Sequence, residues 1–329
     1  MIAILGTGQV GRALLEQLQI AKPGSEILLV NRQGKTSFEL PSGTNILGVD
    51  ATVPENLIDI FRKAEIVFSC TDVPYQHWDK FYPLLSHAML EGLKHSNAKL
   101  VFADNLYSYG NLKGKLIHEE LGHYAQTKKG KIRAALINDF AISGLSDRVA
   151  IVKASDFIGP RIEKGLFGVD FLNNIHNRKT VYLPGKAQLL HHFTYIEDFA
   201  KAMLTVAFDS EAYHQTWHVP NASAISQSAW IDLFSQYTGL KIKHRFIPAL
   251  ALKLAGIFNP FVKELNELSY QFQYPYLVGS QKFVERFGDI STPPEVIVQK
   301  TVEWFYQKNA MHYPMADLVG HNRDSFNLN

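Results

Sequence analysis

Cysteine is almost absent. Cys70 is the only one among 329 residues, so no internal disulfide can form and no multi-cysteine zinc site can be built. A single thiol suits a reducing cytoplasm. Charge of one sign is lacking too. There are 33 Lys and Arg against 31 Asp and Glu, a balance of +2, so neither a nucleic acid nor a membrane surface is expected as a partner. No apolar run reaches the roughly twenty residues that a bilayer demands. The longest, Ile247 to Val262, is interrupted by Lys253, Asn259 and Pro260. The first residues lack the basic flank of a signal peptide, and their glycines come too early for its apolar core. Low-complexity linkers and repeats are missing as well. With 46% hydrophobic and 19% charged residues, the chain is globular, of one large or two ordinary domains.

The first half alternates between two periods. Short β-branched runs stand at Ile2–Leu5, Glu26–Val30, Asn45–Val49, Glu65–Ser69, Lys99–Ala103 and Arg148–Lys153. Helical patterns lie between them: Val10, Leu14 and Leu18 on one face, then Leu57, Ile60 and Phe61, then Trp78–Leu93. This alternation predicts an α/β fold, a Rossmann-type doubly wound parallel sheet with helices on both faces, whose strands are apolar throughout because both faces are buried. After about residue 155 the rhythm weakens, with Gly159-Pro160 and Pro184-Gly185 as punctuation. Ser226–Tyr237 and Pro294–Tyr306 read as helices and Thr216–Val219 as an extended piece. The expected division is a dinucleotide-binding domain over 1–158, with 190–220 returning to it. A smaller substrate-binding part takes 159–189 and 221–329. His312 to Asn329 reads as a loosely packed tail.

Directly after the first strand comes Gly6-Thr7-Gly8-Gln9-Val10-Gly11, then a helix. Gly6 allows the tight turn, Gly8 lets the backbone approach a pyrophosphate, and Gly11 lets helix and sheet pack closely. The phosphates then meet free N–H groups at the helix N-terminus, offered by residues such as Gln9 and Val10. In this order and context the motif predicts a dinucleotide site. Twenty residues on, where an NAD site usually has a carboxylate, stands Asn31, followed by Arg32. A guanidinium can pair with a 2′-phosphate, so NADP(H) is preferred to NAD(H).

Carbonyl reduction in such a site calls for a tyrosine to pass a proton and a lysine to lower its pKa, four apart on a helix. The spacing occurs at Tyr109/Lys113, Tyr124/Lys128, Tyr182/Lys186 and Tyr237/Lys241. Pro-Gly inside the third pair, and Gly110 and Gly239 inside the first and fourth, leave Tyr124/Lys128, which opens a helical pattern with Ile132, Leu136 and Ile137. Lys129-Gly130 offers an alternative register, and Tyr107 or Tyr109 an alternative phenol.

Seven blocks in order extend the pattern: the glycine motif, Val49-Asp50-Ala51, Asn105 to Gly110, Tyr124-x-x-x-Lys128, Ala154 to Pro160, His192 to Asp198 and Trp217 to Asn221. Over most of its length the chain resembles an extended or atypical short-chain dehydrogenase/reductase of the NAD-dependent epimerase/dehydratase family. The resemblance implies that Asp50 bonds the adenine, that Lys128 also holds the nicotinamide ribose, and that Ser155 to Gly159, with Phe157, lie near the nicotinamide. It implies an oxidoreductase or epimerase acting on a small carbonyl or sugar-type substrate, with the C-terminal residues as its lid. The family's serine ahead of Tyr-Gly is replaced by Asp104-Asn105, and the Asn105 amide can donate to a carbonyl in its stead. That departure keeps a second reading open, a catalytically lapsed NADP(H)-binding sensor. Tyr75, Trp78, Tyr107 and Phe157 are the expected substrate-side residues, at loops leaving strand ends. His118, His191 and His192 lack metal-ligand spacing, so no metal is expected. A homodimer contact is one use for the aromatic cluster at Tyr270 to Tyr276.

Overall fold

The computed structural model describes residues 1–258, 264 and 266–309. The expected tail at His312–Asn329 and the end of the Ile247–Val262 run lie outside them.

Seven strands form one parallel sheet. Six come first in the chain: β1 (Ile2–Leu5), β2 (Ile27–Asn31), β3 (Thr44–Gly48), β4 (Ile66–Ser69), β5 (Lys99–Asn105) and β6 (Val149–Ala154). The seventh is Gln215–His218. From edge to edge the order is Gln215–His218, β6, β5, β4, β1, β2, β3. Ile2 lies beside Ile27 on one side and Ile66 on the other. The strand order reverses between β1 and β4, and in such sheets the crevice at the carboxyl ends of those strands takes the ligand.

Side chains alternate across the sheet, so each strand feeds two cores. Ala3, Leu5, Val67, Leu100 and Phe102 meet α2 (Pro54–Lys63), α3 (Trp78–Lys94) and α4 (Lys128–Ile142). Ile2, Ile4, Ile27, Leu29 and Phe68 meet α1 (Gln9–Ala21) and the helix Ile196–Ala207. A third core, around Phe167, Phe171, Trp230 and Phe234, belongs to the segments after β6. Local chemistry sets the ends of α2: Pro54 opens it, Glu55 lies in its first turn, and Arg62 and Lys63 in its last, each matching the helix dipole.

Two expectations change. β3 is not buried on both faces. It is one of the two edge strands, and Leu47 is among the exposed large hydrophobics. The helical segment expected to open at Tyr124 opens at Lys128 instead. Thr127 is its N-cap, with Oγ1 accepting from the Gly130 N–H at 3.1 Å. Tyr124 therefore lies in the preceding loop and shares no helix face with Lys128.

Candidate functional site

The glycine turn is shaped by close approaches. Gly6 has φ +97°, and a Cβ there would lie 2.6 Å from the Cys70 carbonyl oxygen. A Cβ on Gly11 would lie 1.9 Å from the Gly6 oxygen, so the first turn of α1 rests directly on the loop. Gly8 differs: a Cβ there would meet nothing within 4 Å. Gly8 is also the N-cap of α1, with no side chain capping the helix N–H groups beyond it. Open space in front of uncapped donors fits a pyrophosphate. Gln9 and Val10 begin that helix.

Asn31 closes the neighbouring loop on itself. Its Nδ2 donates to Thr7 Oγ1 at 2.7 Å and to the Lys35 oxygen at 2.9 Å. Its Oδ1 accepts from the N–H groups of Gln33 and Gly34. An amide has two donors and two acceptor positions, so none is left for a ribose. Arg32 beside it is exposed. Asp50 takes the backbone N–H and the hydroxyl of Thr52, at 2.9 and 2.7 Å. Those two bonds, with Arg32 nearby, hold its carboxyl below the usual range.

At the carboxyl ends of β4 and β5 the aromatic residues converge. The hydroxyls of Tyr75 and Tyr107 are 3.1 Å apart. Trp78 packs edge-on to Tyr75 and stacks over Tyr107, but its Nε1 donates to the Val73 oxygen and it is buried, so it supports these rings from below. Burial pushes the Tyr75 phenol up to about 12, and that of Tyr107 upward as well. Asn105 accepts the Tyr107 N–H at 3.0 Å through Oδ1, which leaves its NH₂ end to donate elsewhere. Phe157 rests edge-on against Phe199.

The two lysines at the start of α4 have different surroundings. Lys128 is exposed and ion-paired to Asp79 at 2.9 Å, while Tyr124 is 60% exposed. Lys129 is buried. Its Nζ bonds the carboxylates of Glu264 and Glu267, the latter at 2.6 Å, and lies 5.0 Å from the centre of the Tyr75 ring. Gly130 follows because a Cβ there would lie 2.5 Å from the Tyr107 carbonyl oxygen. The structure thus gathers Lys129, Tyr75, Tyr107 and Asn105, and sets Tyr124 and Lys128 on the outside.

Beneath them lies a charge cluster that the sequence reading missed. Lys153, wholly buried on β6, donates to Asp104, to the Asn105 carbonyl at 2.9 Å and to the Ser108 hydroxyl at 3.1 Å. Arg133 from α4 approaches Asp104 on its other side at 3.3 Å and donates to the Tyr82 hydroxyl. Desolvation pulls the Lys153 pKa down against the pull of Asp104. A lysine within an otherwise apolar strand run was the available signal. His191 pairs with Asp156 at 3.0 Å, and burial lowers the neighbouring His192 to about 4. Among the described residues, no group of three or more His, Cys, Asp or Glu side chains is placed to hold a metal ion.

No curated protein sequence matches significantly. Solved structures do. A dTDP-glucose 4,6-dehydratase from Bacillus anthracis, in complex with NAD, superimposes with a TM-score of 0.75 at 15% identity, over 94% of this chain and 96% of that one. A UDP-glucose 4-epimerase from Thermus thermophilus, also with NAD, gives 0.73 at 16% identity over 93% and 99%. A UDP-glucuronic acid 4-epimerase from Bacillus cereus gives 0.73 at 14% over the same shares. These likenesses establish the fold. The sequence itself matches the model of the NAD dependent epimerase/dehydratase family over residues 2–218. The chain belongs to that family of enzymes.

Proposed function

We propose that this protein is a nicotinamide-dependent oxidoreductase or epimerase of the short-chain type, acting on a carbonyl or alcohol carbon of a small sugar-type substrate in the cytoplasm. Gly6, Gly8 and Gly11 would hold the dinucleotide, with its pyrophosphate at the N-terminus of α1. Once bound, the cofactor supplies or accepts hydride. Arg32 would pair with a 2′-phosphate, giving NADP(H) preference over NAD(H). Asn31 supports this through the loop that presents Arg32, and Asp50 through the adenine end.

The observation that carries the reading is the Tyr75–Tyr107 pair, 3.1 Å between hydroxyls. It lies beside the Asn105 amide, with Lys129 against the Tyr75 ring. The phenols stay protonated at neutral pH, so the pair is loaded to donate to a carbonyl oxygen. Asn105 would steady that oxygen. On this reading the proton comes from Tyr107 or Tyr75 in preference to Tyr124, and the supporting ammonium is Lys129 in preference to Lys128.

NADPH oxidation with a panel of aldehydes, ketones and nucleotide sugars tests the reading. Turnover lost in Tyr107→Phe and kept in Tyr124→Phe supports it; the reverse returns the role to Tyr124. Tight NADPH binding with no turnover of any member would favour the lapsed sensor, in keeping with a Lys129 already engaged by two carboxylates.

A further inference from the structure

The balance of +2 conceals a local asymmetry. Between Asp170 and Glu197, and again between Asp232 and Glu264, the sequence has no carboxylate, yet these two stretches hold eight Lys and Arg residues. The rest of the chain is left with 25 cations against 31 carboxylates. The fold brings the two stretches together, because Val181–Pro184 pairs in parallel with His244–Ile247 and sets Tyr182 beside Arg245.

Val181 and Leu183 are buried around an exposed Tyr182, and on the other strand and the residues leading into it Ile242 is buried while Lys241, Lys243, His244 and Arg245 are exposed; Lys241, Lys243 and Arg245 stand at alternate positions, in register with Tyr182. The outer face is therefore a row of three cations beside a tyrosine ring. Among the described residues none of the three is ion-paired. Immediately after this strand and Pro248 comes the helix Ala249–Phe258, with the sequence ALALKLAGIF. Leu250 and Leu254, four apart and so on one face, are 69% and 55% exposed, and Lys253 is exposed beside them. A lone exposed leucine carries no meaning. Two on one helix face, adjoining a basic sheet without a carboxylate, form a composite surface. A ten-residue helix is about 15 Å long, half the thickness of a bilayer's hydrocarbon core. Among the described residues no helix is long and apolar enough to cross a membrane. A short helix with apolar residues outward and cations beside it suits the interfacial plane.

We propose that this face docks the protein on an anionic lipid bilayer. Leu250 and Leu254 enter the headgroup boundary, Lys241, Lys243 and Arg245 meet lipid phosphates, and Tyr182 sits at the interface. A second copy of this chain would set like charge against like across a two-fold contact. An acidic protein would satisfy the cations but leave the leucines without a use. The net charge, which argued against a membrane surface, averages this face away.

The test is co-sedimentation of the full chain with vesicles of phosphatidylcholine, alone or with about a third phosphatidylserine, at about 0.1 M and about 0.5 M salt. Binding is expected on the anionic vesicles at low salt and weakens at high salt. Each basic residue near such a surface is worth about fivefold, so Lys241→Glu with Lys243→Glu and Arg245→Glu should lower partitioning by about a hundredfold or more. Leu250→Ser with Leu254→Ser should lower it by about tenfold. Melting temperature and NADPH affinity should not change, since none of these residues lies in the nucleotide site. The proposal fails if the protein ignores anionic vesicles, binds neutral ones equally, or keeps its binding in both variants. It fails equally if the leucine variant changes the mass seen by light scattering, which would make the face a subunit contact. Displacement of the parent by polyglutamate, with the leucine variant unaffected, would assign the face to an acidic protein instead.

Discussion

Tyr107 meets the Lys129-Gly130 turn of α4 in two places without bonding Lys129. Its carbonyl oxygen lies where a side chain on Gly130 would begin, 2.5 Å from that Cβ position. Its hydroxyl meets Tyr75, whose ring faces the Lys129 ammonium. The end of β5 and the start of α4 are thus locked in one relative position, and the phenol pair depends on it.

Gly130→Ala should therefore displace Tyr107 instead of merely stiffening a helix. Alanine would normally favour a helical position by about 1 kcal/mol over glycine. Here the clash should reverse the sign and lower the urea midpoint, with turnover falling further than cofactor affinity. An unchanged or raised midpoint would show that the contact relaxes freely.

Tyr107→Phe removes the transferable proton and keeps the ring over Trp78. Turnover should drop by about 10²–10⁴-fold, the usual worth of a positioned acid, with cofactor binding retained. Tyr124→Phe, altering an exposed loop residue, should stay within about twofold of the parent by the same reasoning. Single-turnover rates with a reducible carbonyl would decide between them.

Arg32→Ala should weaken NADPH by about ten- to a hundredfold, as expected for loss of a charge-assisted phosphate bond, and leave NADH nearly unchanged. Fluorescence titration of both nucleotides against both proteins checks this. If the unmodified protein binds NADH more tightly than NADPH, the assigned preference is wrong.

Lys153→Met takes from Asp104 one of its two buried cations and leaves it the other, Arg133 at 3.3 Å. Asp104→Asn instead leaves both cations without their shared carboxylate. Breaking a buried pair from one side typically costs about 3–5 kcal/mol, so both variants should be destabilised, and Asp104→Asn more than Lys153→Met. Adding Asp104→Asn to Lys153→Met should lower stability further, because Arg133 then loses its carboxylate. Denaturant unfolding of the two single variants and the double variant checks the order; a double variant more stable than Lys153→Met would show that Arg133 does not depend on Asp104.

Stability should fall as pH drops from about 6.5 toward 4, and His218 is one cause. Its ring is fully buried, accepting from Tyr109 at Nε2 and donating from Nδ1 to the Gly279 oxygen, and burial lowers its pKa to about 3. Below the unfolded value the unfolded chain binds a proton that the folded chain refuses. The loss is at most about 1.4 kcal/mol per pH unit for one such histidine. Glu119, raised by burial, works in the opposite direction at the acid end. His218→Asn should flatten the slope of unfolding free energy against pH in this window; an equal slope in parent and variant would remove His218 from the account.

The sheet and the nucleotide turn were legible in the sequence because both are written locally. Strand boundaries moved by a residue or two, and three glycines in a fixed order after a strand name their own geometry. The acid–base group proposed here was not legible. Tyr124 and Lys128 have the right spacing, but Thr127 between them starts the helix, and a capping hydroxyl outweighs a tyrosine's weak helical preference. Lys129 finds its carboxylates 135 and 138 residues away, and Lys153 its aspartate 49 residues away. No spacing rule reaches that far. Asn31 showed its position but not its saturation, since three of the partners that consume it are backbone groups of its own loop and the fourth is the Thr7 hydroxyl of the glycine turn.

The place of Gln215–His218 in the sheet bears on how the chain is made. Every residue of β6 is buried, and one whole side of its backbone ladder is supplied by this last strand. Until residue 218 leaves the ribosome, β6 is an apolar edge with open hydrogen-bonding groups, the kind of surface on which chains stick to one another. A fragment cut after residue 158 would keep that edge permanently. Such a fragment should precipitate or require a chaperone, while one ending beyond 218 closes its own sheet.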